Sequence, residues 1–188
     1  MNTSLNNFYL ELKKLVDGEL IRPFVCNGNP LKTDILIIGF NPATETDNFW
    51  DYFDDKVGFH KELWLETYKN KRKKSKKTEL SNTRRVIEWI NKDLEEFESN
   101  LIITETNIYS FPTRKKSDLN KNDRNTEIFD YLMFNLNPKV IITHGVDVER
   151  YIKVMNLNIP IFYEKHFAIG WSREKAKTLA HQIIKLVK

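Results

Sequence analysis

At 188 residues, with 40% hydrophobic and 30% charged side chains and only 6 Gly and 6 Pro, the chain has the size and balance of one globular domain, which excludes a fibrous or disordered polymer. Its single cysteine, Cys26, excludes a disulfide framework or a cysteine-rich metal site, points to a reducing compartment, and suits a small buried side chain. The net charge of +4 and pI near 9.0 admit a polyanionic partner without requiring one.

The N-terminal stretch MNTSLNNFYLELKKL has no basic segment followed by an apolar run and a cleavage site, and no segment approaches the roughly 20 apolar residues that cross a bilayer. A cytoplasmic protein without a membrane segment is expected, a monomer by default. FYLELKKLVDGEL, residues 8–20, reads as a helix, and DILIIGF at 34–40 as a buried strand. Residues 69–77, KNKRKKSKK, carry seven Lys or Arg with no acid before Glu79, and such a block reads as a solvated loop or arm. A helix follows from a cap at Ser81 or Asn82, with Val86, Ile87, Ile90, Leu94 and Phe97 on one face.

LIITETNIY at 101–109 and KVIITHG at 139–145 are further buried strands, and IPIFYE at 159–164 is a shorter one near the sheet edge. Segments 125–135 and 147–155 read as helices, and Ser172 caps a last helix burying Ala176, Leu179, Ala180, Ile183 and Leu186 or Val187. The alternation predicts one domain over residues 1–188: a three-layer α/β/α sandwich with a central, mostly parallel four-stranded sheet.

Ligands of open α/β sheets bind beyond the carboxyl ends of the strands, so the chemistry is sought there. The first strand ends in GFNPA, where Gly39 permits close approach and Pro42 stiffens the loop presenting Asn41, whose amide can hold a water, donate to a substrate or close an Asx turn. The second ends in ETNIYSFPTRKK, the third in THGVD, and the fourth runs into EKHFAIGWS. No Gly-rich nucleotide motif, nucleophile elbow or metal-ligand spacing occurs, so no cofactor and no metal are expected. His144 has no acid or nucleophile beside it in sequence, and a packing role suits it better.

Taken in order, these segments resemble the uracil-DNA glycosylase superfamily. GFNPA at 39–43 is similar to the GxNPG motif of the mismatch-specific and thymine-DNA glycosylase branch, and DNFW at 47–50 to the aromatic segment after it. TNIYSFPTR at 106–114 resembles the segment whose Asn meets the target base, and HFAIGWS at 166–172 stands where the family has a His-containing loop. Ala43 stands in place of the family glycine, and Phe167 and Ala168 in place of Pro and Ser.

The resemblance implies a monofunctional glycosylase that hydrolyses the N-glycosidic bond of uracil or a related base flipped out of DNA, in base excision and repair. Asn41 would hold the attacking water or touch the base, and His166 would donate a hydrogen bond to the departing base. Gly39, Phe40 and Asn107 would form the base site, with Phe49 or Trp50 stacking on the base or belonging to the core. Lys71, Arg72, Lys73, Lys74, Arg84, Arg85, Arg114 and Lys115 would neutralise phosphates, and Ile169 or Trp171, before Ser172, would fill the vacated stack. The alternatives are a glycosylase for a modified or bulky base, in foreign-DNA defence for example, and a DNA-binding member of the fold without turnover.

Overall fold

Ser4 caps the first helix by accepting a hydrogen bond from the Asn7 amide, and α1 (Leu5–Leu15) buries Phe8 and Leu12 one turn apart. The computed structural model describes residues 4–16, 18, 21–43 and 48–187. The helix ends at Leu15 rather than near residue 20; residues 17, 19 and 20, and Asp47 of the DNFW segment, lie outside the described set. The chain continues through β1 (Phe24–Gly28), β2 (Ile35–Gly39), β3 (Phe53–Asp54), β4 (Gly58–His60), α2 (Lys61–Lys74) and α3 (Asn82–Phe97). Then come β5 (Ile103–Asn107), α4 (Glu127–Asn135), β6 (Val140–His144), α5 (Val146–Val154), β7 (Ile161–Glu164) and α6 (Arg173–Val187).

The sheet corrects the expectation of a mostly parallel four-stranded one. It has seven strands in the order β3-β4-β1-β5-β2-β6-β7 and is mixed. The four apolar segments read from the sequence pair in parallel as β5-β2-β6-β7, but β1 adds antiparallel to β5, and β4 and β3 extend that side antiparallel. These three added strands are two to five residues long, too short for a clear alternation. Turn chemistry fixes the β3–β4 hairpin: the Asp54 carboxylate accepts from the Lys56 and Val57 amides. Gly58 sits at φ +107°, and a Cβ there would lie 2.2 Å from the Gly28 carbonyl oxygen, so β4 can pair with β1 only because residue 58 is glycine.

Every residue of β2 and β6 is buried, as strands covered on both faces require. Leu36, Ile38 and Ile141 pack into one core with α1, α4 and α5. Ile35, Ile37, Val140 and Ile142 pack into the other with Val86, Ile87, Ile90 and Leu94 of α3 and Ala176, Leu179, Ala180 and Ile183 of α6. Each fully buried aliphatic side chain contributes roughly 1.5–3 kcal/mol.

The basic run also differs from its expected form. Residues 69–74 are helical, forming the last turns of α2, where Lys71, Arg72, Lys73 and Lys74 meet the negative end of the helix dipole. Buried Trp64 and Tyr68, at i and i+4 and stacked 5.4 Å apart, anchor the helix, which outweighs repulsion among its solvated lysines.

Candidate functional site

Strand β2 lies between β5 and β6, so the connections leaving neighbouring strands diverge and a cleft opens at their carboxyl ends. The cleft encloses about 650 Å³. Beneath its lining Gly39 stands in register with Asn107 across the parallel pair. A Cβ on residue 39 would lie 2.6 Å from Asn107 Oδ1 and 3.0 Å from His144 Nε2, so glycine lets the side chains of Asn107 and His144 converge. Among the described residues the Asn107 amide makes no side-chain hydrogen bond, leaving a donor and an acceptor in the cleft.

The His166 ring stands 5.2 Å from that of His144 at a steep angle, and its Nδ1 accepts a hydrogen bond from the Ala168 amide at 3.2 Å. In the neutral ring the proton therefore sits on Nε2, which becomes a donor. Burial lowers the His166 pKa and favours this neutral form. His144 is held by stacking at 4.4 Å on Phe167, which is itself edge-on to Trp171. Burial, with His166 and Arg84 nearby, pushes His144 down to about 3, so it is neutral at physiological pH. Among the described residues its buried Nδ1 has no hydrogen-bond partner.

Asn41 lines the cleft, and its NH₂ donates to Thr113 Oγ1 at 2.8 Å and to the Pro42 and Phe111 carbonyls. The amide thus ties the loop after β2 to the loop after β5, and its Oδ1 is left as an acceptor. Phe40, edge-on to Tyr109 and under the Lys116 ammonium, is the aromatic wall of the cleft.

A charge network continues the site toward α3. Glu105, on the same face of β5 as Asn107, accepts from Arg84 at 2.6 Å and has Lys61 at 3.9 Å; Glu88 pairs with the same two cations at 3.1 and 3.5 Å. Burial disfavours the Arg84 charge, but Glu105 and Glu88 outweigh it and raise its pKa. Arg22 lies 5.6 Å and Arg84 4.7 Å over the ring of Trp64. Burial, with Arg84 alongside, pushes Arg22 down to about 10, and among the described residues its guanidinium has no hydrogen-bond or ion-pair partner.

Of the residues singled out in the sequence, the cleft brings together Phe40, Asn41, Asn107 and His166, with Arg72, Arg84 and Arg114 on its walls, while Gly39 lies beneath Asn107 without lining it. Phe49 and Trp50 are elsewhere: Phe49 is buried among Phe24, Phe53 and Phe59, and Trp50 packs edge-on to Tyr9. Arg84 is buried and paired rather than an exposed phosphate contact. Arg85 is half-buried; Lys73, Lys74 and Lys115 are exposed. In the loop after β7, Ile169 is 69% exposed while Trp171 packs on the α3–α6 core, and Ser172 Oγ accepts from the Lys175 amide to cap α6.

His144 and Arg22 line the cleft without having been expected there. His144 stands out in sequence only as the last residue of an apolar strand before Gly145, and Arg22 carries no motif at all. Among the described residues no three metal-ligating side chains converge, and no helix is long and apolar enough to cross a membrane. No family model matches the chain, and no curated protein matches it.

Proposed function

We propose that the protein is a DNA glycosylase that hydrolyses the N-glycosidic bond of a base extruded from DNA. The observation that carries this reading is the Nε2–H of His166, its tautomer set by the Ala168 amide, in one cleft with the unpaired amide of Asn107 and the Oδ1 of Asn41. The C1′–N bond breaks with its electron pair leaving on the base, and the sugar passes through an oxocarbenium-like state. The His166 donor stabilises the charge gathering on the base oxygen, a role typically worth a factor of about 10²–10³ in rate. Asn41 Oδ1 orients the water that attacks C1′, and Asn107 offers an acceptor and a donor to the base edge. Phe40 takes the stacking role that Phe49 and Trp50, packed in the aromatic core, do not fill. Exposed Ile169 serves as the wedge in the vacated stack, and Arg72, Arg114 and the last turns of α2 supply phosphate contacts. The ordered resemblance to the uracil-DNA glycosylase superfamily supports the same reading.

A second form of the reading, removal of a modified or bulky base, is favoured by the cleft volume of about 650 Å³ and by the retreat of Phe49 and Trp50 from it, which leaves space beside a pyrimidine ring. The test is release of free base from DNA containing uracil or a bulky modified pyrimidine, measured by mass spectrometry for the wild type and His166→Ala. Release by the wild type alone supports the reading, and release by neither counts against it.

A further inference from the structure

Arg22 is the odd charge of the network behind the cleft. Arg22, Lys61 and Arg84 are three buried or half-buried cations facing two carboxylates, Glu88 and Glu105, and both carboxylates are already engaged by Arg84 and Lys61. Among the described residues Arg22 has no close ion pair and feels Glu105 only at longer range, yet the Trp64 ring holds it beside Arg84, and it lines the cleft. A planar guanidinium kept half-buried and unpaired is a fork prepared for an oxyanion.

The groups around it are of the same kind. Tyr68 underlies Arg72 and bonds through its hydroxyl to Ser81 Oγ at 3.1 Å, which ties Arg72 to the start of α3. Helix α3 is 16 residues long, has no acid in its first turn, and opens on the cleft wall with Ser81, Asn82 and Thr83. The cap satisfies the Arg84 amide through Ser81 Oγ and the Arg85 amide through the Ser81 carbonyl, so among the described residues the Asn82 and Thr83 amides remain without an acceptor. Lys77 adds an exposed ammonium at the rim.

We propose that Arg22, with the free amides of Asn82 and Thr83, forms a phosphate-binding subsite at the α3 side of the cleft, for a phosphate group carried by the ligand that occupies it. A tetrahedral oxyanion uses several donors at once, which suits a guanidinium fork lining the same cleft as two backbone amides at the positive end of a helix. The phosphate is either a terminal monoester or an internal diester of a DNA strand. The subsite does not depend on base excision, and it can be tested without turnover.

Thermal melts of the whole protein in sodium phosphate and in sodium chloride of matched ionic strength read the subsite directly. The wild type gains melting temperature with phosphate concentration beyond the chloride control, and Arg22→Gln, folded in chloride, does not. Asn82→Pro removes one donor at a position where a helix tolerates proline, and the gain shrinks. No gain over chloride, or an equal gain in Arg22→Gln, overturns the proposal.

Binding of short single strands with a 5′-phosphate or a 5′-hydroxyl then separates the sources. A loss of roughly tenfold or more in Arg22→Gln confined to the phosphorylated strand assigns a terminal phosphate. The same loss for both strands, with the salt slope lowered by about one, assigns an internal diester. No loss for either strand overturns the proposal.

Discussion

Asn107 and His144 reach the same point in space from two neighbours of β2: a side chain begun on Gly39 would meet Asn107 Oδ1 at 2.6 Å and His144 Nε2 at 3.0 Å. The glycine beneath the cleft is therefore as much a part of the site as its polar groups. Gly39→Ala forces one or both side chains aside and is expected to destabilise the protein by about 1–3 kcal/mol, as overpacking does. Thermal melts check the stability, and the side-chain amide resonances of Asn107 should move; a variant with unchanged melt and spectrum contradicts this geometry.

The depressed pKa of His144 makes stability depend on pH with a definite sign. Above the ordinary value near 6.5 the ring is neutral folded and unfolded, and its full contribution is present. As pH falls from there toward about 3 the unfolded chain takes up a proton that the folded one refuses, so stability falls by about 1.4 kcal/mol per pH unit for this one group. His166, also lowered, acts in the same direction. Urea titrations from pH 7.5 to 5 should show a shallower fall in His144→Asn than in the wild type, and parallel curves would refute the assignment.

The tautomer of His166 predicts a graded response to substitution. His166→Ala removes the donor and is expected to cost a factor of about 10²–10³ in the rate of base release. His166→Gln offers an amide donor in its place and should recover part of that loss. Single-turnover rates decide between this and a merely structural His166, for which the two variants would be equally impaired and less stable.

Two residues side by side on α3 are expected to shift stability in opposite directions. Ile90, fully buried against the sheet, should cost about 2–5 kcal/mol when changed to Ala. Asn91 is buried with neither side-chain amide atom hydrogen-bonded among the described residues, and Asn91→Leu should gain about 1 kcal/mol or more by removing that unmet demand. Denaturant midpoints measure both.

The parallel strands β2, β5, β6 and β7 were legible because strands covered on both faces leave an uninterrupted apolar run, and α3 was legible from its cap and 3.6-residue stripe. Strand β1 was not, because FVCNG has no hairpin partner beside it in the chain: it pairs with β5, some eighty residues later. The same separation hid Arg22, whose meeting with Arg84 depends on that antiparallel pairing. His144 was legible as a packing residue, and it does stack on buried Phe167, but its place in the cleft was hidden because His166 and Phe167 arrive only after α5 and β7. The lysine run misled because charge density was weighed without Trp64 and Tyr68, which anchor the helix from the turns before it. Asn41, Asn107 and His166 were legible as polar residues just past apolar runs, but their bonding, including the tie from Asn41 to Thr113, is a property of the folded loops.

Base excision is tested most directly by alkali-revealed cleavage of end-labelled DNA carrying a single uracil or a single bulky modified pyrimidine, with the wild type, Asn41→Ala and His166→Ala compared under single-turnover conditions. Base excision at this cleft predicts alkali-dependent strand cleavage at the labelled base by the wild type, faster for the bulky base, and its loss in both variants while they remain folded. Intact DNA with every substrate, or cleavage undiminished in both variants, would contradict it.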